Sequence, residues 1–388
     1  MNPLVSAIIP AYNAERFIAR TLDSILNQTY KNIEVLVVDD GSSDRTAEIV
    51  KAIAKKDSRI ILLQQPNSGV AKARNLAIAK AKGEYIAPID ADDIWYPQKI
   101  EKQVEVFSYS EASVGLVYTW SVQIDEEDRI ENCCNSLDSF YLLKAISVEG
   151  QVYLPLIYRN FLGNASVPLI HRSCFRKVGN YNERLKQQDA QGCEDWDLYL
   201  RIAEFYQFKV VPKFLVGYRQ LFNSMSNNYL KMAKSYNSVM TDVRLKYPNI
   251  PKHIYCWSKS NFYNYLLEKS CKTQEYATTM YLLSEIIKTD IQMLLKLGVY
   301  KNFILLNLEK KLPNLIIAKI KNRLYKFKNK KTFMPKNRVL NYLEKIEIQI
   351  IRSQPRGFIS PYKKILKYRW NGVLKLNKLE NSWHRNLN

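Results

Sequence analysis

A chain of 388 residues with 47% apolar composition can build a sizeable core and has room for two domains, so intrinsic disorder and collagen-like repeats are excluded. Its net charge of +21 points to nucleic acid, an anionic membrane surface or an acidic ligand, but the charge is unevenly spread. Residues 1–230 hold 26 basic and 28 acidic side chains and residues 231–388 hold 32 and 9, so a neutral module precedes a basic one.

The first hundred residues alternate short β-rich apolar runs with helical periodicity, which predicts an α/β, mostly parallel sheet flanked by helices. Residues 4–9 read as the first strand. After Pro10 a helix carries Phe17, Ile18, Leu22, Ile25 and Leu26 at helical spacing, and residues 33–38 (IEVLVV) read as a strand buried on both faces. A helix over 45–55, a strand over 60–63, a helix opening after Gly69 and a strand over 84–89 complete this unit. Farther on, residues 115–123 predict a strand, 125–131 an acidic hairpin or loop, 166–171 a strand, and 194–205 a helix with Leu198, Ile202 and Phe205 on one face. Residues 209–211 and 216–218 read as two short edge strands. Beyond about Leu230 the pattern becomes almost wholly helical with proline punctuation, which divides the chain into an α/β domain at 1–230 and a basic helical region at 231–388.

Acidic residues stand at the carboxyl ends of two of these strands, Asp39-Asp40 and Asp90-Ala91-Asp92-Asp93, which is where open α/β sheets bind ligands. Asp90 and Asp92, two apart on extended chain, can share a hard divalent cation that neutralises a diphosphate. A second reading makes Asp92 or Asp93 the cap of a helix starting near Tyr96-Pro97. Asp40 can accept from a base imide N–H with the Tyr12 ring beside that base. Gly69, Lys72 and Arg74 mark a helix start suited to phosphate, or an ordinary solvated helix face. In Glu194-Asp195-Trp196-Asp197 the carboxylates either complement a helix dipole or supply a general base, since no histidine lies in a catalytic context. Arg219 adds positive charge for a leaving group, or is a surface residue.

Together these segments resemble the family 2 glycosyltransferases, inverting enzymes with the GT-A fold. The matching stretches are VSAIIPAYNAERFIARTLDSILNQTYKNIEVLVVDDGSSDRTAEIV, NSGVAKARNLAIAKAKGEYIAPIDADD, GCEDWDLYLRIA and VGYR, which cover residues 4–230 in pieces. The resemblance implies that Pro10, Ala11, Tyr12 and Asp40 hold the nucleotide base and ribose, with Arg74 near the base or diphosphate. It implies that Asp90-Ala91-Asp92 is the DXD motif, Asp92 the foremost ligand of Mn2+ or Mg2+ and Asp90 nearer the ribose or a metal-bound water. It also makes Asp195 the catalytic base, with Arg219 or Lys72 assisting the departing diphosphate. The implied reaction moves a sugar from a nucleotide-sugar donor to a glycan or lipid-linked acceptor in surface polysaccharide assembly, and the fit of Asp40 to a uracil imide favours a UDP-sugar.

The six cysteines form no CxxC pair and the three histidines are scattered, which excludes a zinc site with metal-ligand spacing and fits a reducing compartment. The opening MNPLVSAIIPAYN lacks signal-peptide features and no apolar run of about 18 residues follows, so the expected localisation is cytoplasmic, at most peripheral on the inner face of the cell membrane. In the basic half, eleven basic and no acidic residues lie between Glu309 and Glu344, with Ile317, Ile320, Leu324 and Phe327 at helical spacing. Leu343, Ile346 and Ile350 extend this stripe, which suits an anionic membrane surface or packing on the catalytic module. The competing function is a catalytically degenerate GT-A protein whose basic half binds nucleic acid or membrane, although no nucleic-acid recognition motif is present.

Overall fold

The computed structural model describes residues 2–130, 147–221, 227–292 and 361–384, with the side chains of the last helix described over 365–378. The chain opens with β1 (Val5–Ala11), α1 (Ile18–Leu26), β2 (Ile33–Asp39), α2 (Thr46–Ala54), β3 (Ile60–Gln64), α3 (Val70–Lys80) and β4 (Tyr85–Pro88). It continues through β5 (Ile94–Trp95), α4 (Lys99–Ser108), β6 (Val114–Ile124), α5 (Tyr153–Tyr158), β7 (Pro168–His171), α6 (Arg172–Val178), α7 (Arg184–Gln187), α8 (Glu194–Ala203) and β8 (Gln207–Arg219). The helices described beyond β8 are α9 (Tyr229–Lys246), α10 (Lys252–Lys272), α11 (Tyr276–Thr289) and α12 (Pro361–His384).

The strands form one sheet in the order β3-β2-β1-β4-β7-β6-β8-β5. The runs VSAII and VLVV are fully buried, as uninterrupted apolar strands must be when both sheet faces are covered. Strands β1 to β4 are mutually parallel, whereas β7 runs antiparallel to both β4 and β6, and β6 and β8 are again parallel. The sheet is therefore mixed, with flanking helices such as α3 on β1 and β2 and α4 on β6 and β8. This polarity brings the carboxyl ends of β1, β2, β4, β6 and β8 to one edge, joined there by the amino end of β7.

Two sequence expectations change. The segments read as two edge strands are one continuous strand, β8, lying between β6 and the two-residue β5. Pro212 broke the apolar pattern, but it falls at a register shift between Thr119–Val211 and Trp120–Phe214, where no ladder N–H is needed. The Thr119 hydroxyl donates to the Lys213 carbonyl there at 2.5 Å. In addition, α4 starts at Lys99 rather than near Tyr96-Pro97, with β5 intervening and no side-chain cap, so neither Asp92 nor Asp93 caps it.

The helices beyond residue 230 pack on the sheet module, and the buried apolar cluster continues across that position. Trp196 of α8 lies 5.5 Å from Tyr236 and 5.6 Å from Phe262. On α12, Trp370 packs near Tyr158 at 5.7 Å, and Asn377 donates to the Gln151 carbonyl at 2.6 Å. No described helix is long and apolar enough to cross a membrane. The basic amphipathic stretch from Ile317 to Ile350 lies outside the described residues, as do Cys133 and Cys134; Cys174, Cys193, Cys256 and Cys271 are free thiols.

Candidate active site

The shared sheet edge opens into a crevice of about 970 Å3. Pro10, Ala11, Tyr12, Asp40, Arg74, Asp90, Ala91, Asp92, Asp195 and Arg219 all line it, so every residue singled out for donor, metal or base lies on one cavity. Lys72 is exposed and is not part of that lining. Tyr12, just past β1, is 54% exposed on the crevice lining.

Asp40, immediately after β2, is buried and clasps the turn that leads into α3. Its Oδ1 accepts from Gln65 Nε2 and the Ser68 amide, both at 2.7 Å, and its Oδ2 from the Gly69 amide at 2.8 Å. Three of the roughly four acceptor positions of the carboxylate are thus used. Gly69 has φ +93°, a left-handed conformation that favours glycine, and an added Cβ would meet the Lys186 side chain at 2.5 Å. Lys186 itself reaches Asn67 Oδ1 at 2.9 Å and lines the crevice, a cation that nothing in the sequence pattern flagged.

Arg74, projecting from α3, is buried between two acidic elements. It donates to Asp90 Oδ1 at 2.6 Å and to Glu194 Oε1 at 2.9 Å, while Tyr181 lies against its guanidinium. Burial opposes its charge, yet Asp90, Tyr181, Glu194 and Asp195 together hold it protonated far above its ordinary range. Arg74 therefore ties the segment after β4 to the start of α8. With its terminal nitrogens committed to protein carboxylates, its effect on a ligand is felt through Asp90 and Asp195.

Beyond β4 the side chains divide the work. Asp93 is fully buried; its Oδ2 accepts from Ser166 Oγ at 2.5 Å and its Oδ1 from the Arg219 amide at 2.9 Å. Ser166 Oγ in turn accepts from the Asp90 amide at 3.0 Å. Burial, then Asp92 and Asp90, hold the Asp93 carboxyl well above the usual range. Arg219 donates through Nε to the Asp92 carbonyl at 2.6 Å and pairs with Asp128, its guanidinium resting on Phe17. Sequence reasoning missed Asp93 and Ser166 as the clamp that holds the Asp90-Ala91-Asp92 backbone. The adjacent carboxylates of Asp92 and Asp93 were the available signal; Ser166 carried none.

Asp92 remains half-buried at the crevice, and among the described residues it forms no ion pair. Burial and the neighbouring Asp90 push its carboxyl up to about 7, against the pull of its own amide and of Arg219. A carboxylate without an ion-pair partner, beside an Asp90 that shares its charge with Arg74, suits a hard divalent cation. The described residues contain no cluster of three or more ligating side chains, so a cation at Asp92 and Asp90 fits only with oxygens supplied by a bound ligand and water.

Asp195 sits on the first turn of α8, behind a Gly192 turn with φ +105°, where an added Cβ would stand 2.0 Å from Met232 Sδ. Its Oδ1 accepts from the Trp196 amide at 2.7 Å. Burial and then Glu194 push the carboxyl up to about 7, opposed by Arg74 and the Trp196 amide. A carboxylate so placed is matched to accepting a proton near neutrality. Tyr218, half-buried near Asp93, Asp90 and Asp92, also lines the crevice and carried no signal in the sequence.

Residues 6–164 match the model of the family described as "Glycosyl transferase family 2". An uncharacterised glycosyltransferase of Methanocaldococcus jannaschii is 31% identical over 276 residues, covering 68% of this chain and 87% of the relative. Chondroitin synthase of Escherichia coli is 30% identical over 211 residues, 54% of this chain and 28% of that protein. The chain spans 61% of the length of the uncharacterised Rickettsia glycosyltransferases it also matches. In structure it resembles the mannosyltransferase PcManGT from Pyrobaculum calidifontis, in complex with GDP-Man and Mn2+, with a TM-score of 0.51, 19% identity and coverage of 83% of this chain and 88% of that one. Near-complete coverage of the archaeal relative, the family match and the GT-A sheet agree: this chain belongs to glycosyltransferase family 2.

Proposed function

We propose that this glycosyltransferase moves a sugar, with inversion, from a nucleoside-diphosphate donor to a hydroxyl of a glycan or lipid-linked acceptor in surface polysaccharide assembly. The observation that carries this reading is the convergence of Asp40, Asp90, Asp92 and Asp195 on one crevice at the carboxyl edge of the sheet. An intact set of this kind stands against the alternative of a degenerate site beside a nucleic-acid-binding or membrane-binding tail. Polysaccharide assembly gains support from the chondroitin synthase relative.

In this reading Pro10, Ala11 and Tyr12 face the base and ribose, and the remaining acceptor position of Asp40 takes a base imide N–H, which favours UDP-sugars. Asp92, with Asp90, would hold Mn2+ or Mg2+, which when bound supplies charge neutralisation for a diphosphate. Asp195 takes the proton from the acceptor hydroxyl. The acceptor oxygen then forms its bond to the anomeric carbon as the bond from that carbon to the diphosphate oxygen breaks, and the electron pair leaves with the diphosphate. Arg219 acts through the Asp92 carbonyl it holds, and Arg74 through Asp90 and Glu194.

The test is thermal stability with UDP, GDP, CDP and dTDP, each with and without Mn2+, on wild type and Asp92→Ala. A Mn2+-dependent rise with one nucleotide, lost in the variant, is the expected result. A folded sample that responds to none of the four overturns the reading.

A further inference from the structure

We propose that the face of α10 carrying Asn261, Phe262, Tyr265 and Glu268 is the acceptor subsite, and that its occupant is the pyranose end of a carbohydrate chain. The inference rests on the function proposed above and names the partner of the same site.

Asn261, Phe262, Tyr265 and Glu268 fall on one side of α10 at helical spacing, and all four line the crevice. The helix is locked to the residue that follows the base: Trp196 lies edge-on to Phe262 at 5.6 Å, and Phe262 stacks on Tyr236 at 4.9 Å. From below, the Ser258 hydroxyl donates to the Ile157 carbonyl at 2.5 Å and fixes the rotation of the helix. At the other end of the face, Tyr265 and Tyr218 line the same crevice, so α10 faces the end of β8 across it.

A single displacement with inversion places the acceptor hydroxyl at Asp195. The wall adjoining Asp195 through Trp196 is therefore where the rest of the acceptor rests. Its chemistry selects a sugar. An amide, a phenol and a carboxylate, the last accepting from Asn264 at 3.2 Å, offer donors and acceptors to ring hydroxyls, while the aromatic faces cover the apolar C–H face of a pyranose. An alkyl chain offers none of these groups a hydrogen bond in exchange for the water it displaces.

The test uses the full chain with para-nitrophenyl β-glycosides of glucose, galactose, N-acetylglucosamine and glucuronic acid, read by saturation-transfer NMR in the presence of UDP and Mn2+. Binding of at least one glycoside, weakened about tenfold or more in both Tyr265→Ala and Glu268→Gln, is expected. The nucleotide-dependent rise in Tm is the folding control for both variants. The proposal is overturned when wild type shows the nucleotide response but binds none of the glycosides, or when neither variant changes glycoside binding. Loss of the nucleotide response in wild type counts against the donor reading alone and is scored separately from glycoside binding.

Discussion

The Arg219 amide donates to the Asp93 carboxylate across 2.9 Å, joining the end of β8 to the segment after β4. Because Asp93 also takes the Ser166 hydroxyl, and Ser166 takes the Asp90 amide, one buried carboxyl sets the position of Asp90 and Asp92 from three strand ends. Asp93→Ala leaves the Arg219 amide and the Ser166 hydroxyl short of an acceptor and is expected to destabilise by about 2 kcal/mol or more. It should also weaken the Mn2+-dependent nucleotide response. Urea unfolding and calorimetric titration of UDP with Mn2+ check the two parts; an unchanged nucleotide affinity in a folded variant would remove Asp93 from the clamp.

Much of this site is legible in the sequence because its parts stand beside strand ends. The runs IEVLVV and YIAPI stop at carboxylates, and a parallel arrangement brings such ends together before any contact is known. What stays hidden is pairing over long separations. Nothing near Ser166 indicates that it meets Asp93 across 73 positions, and nothing in the segment around Lys186 places it over Gly69. The charge of Arg219 is visible in the sequence, whereas its partner, Asp128 in the acidic turn, is not. Pro212 interrupts the apolar pattern without ending the strand, since a bulge absorbs the missing N–H.

Asp195 carries the clearest pH prediction. With its carboxyl pushed up to about 7, the base is protonated below that value, so kcat should fall roughly tenfold per pH unit on the acid side of neutrality and level off above it. Arg74 lowers this value, so in Arg74→Met the acid limb should move to higher pH. Asp195→Asn should cost about 100-fold or more in kcat while keeping the nucleotide-dependent Tm rise. An acid limb that does not shift in Arg74→Met would show that another group is titrating.

Stability should move with pH in the direction opposite to that of ordinary paired carboxylates. Asp92 and Asp195 both have carboxyls raised to about 7 in the folded chain, from the usual value near 4 when unfolded. Between those values the folded state binds more protons than the unfolded one, so this contribution is fully present below about pH 4 and is lost as pH rises through about 7. Ligation at Asp92 requires the carboxylate, so Mn2+ with nucleotide should stabilise more at pH 8 than at pH 6. Melting curves across that range, with and without the metal and nucleotide, read both trends. A ligand-free protein whose Tm in Asp92→Asn keeps the wild-type pH slope would exclude Asp92 as a contributor.

The buried pair of Arg369 and Asp290 holds α12 to the end of α11. Arg369 donates to both carboxylate oxygens, at 2.5 and 2.8 Å, and to Gln292 Oε1 at 2.6 Å, with its guanidinium 5.1 Å from the Trp257 ring centre. Both side chains are nearly inaccessible, at 2% and 6% exposure, so removing one partner strands a charge away from water. Arg369→Met is expected to destabilise by about 3–5 kcal/mol, and the double change Arg369→Met with Asp290→Leu to recover most of that loss. Because Leu366, one turn earlier on α12, lines the crevice, the single variant should also alter glycoside binding more than nucleotide binding. Urea midpoints for the two single and the double variants complete the cycle, and a double-variant loss equal to the sum of the two single losses would mean that the pair contributes nothing beyond its separate packing.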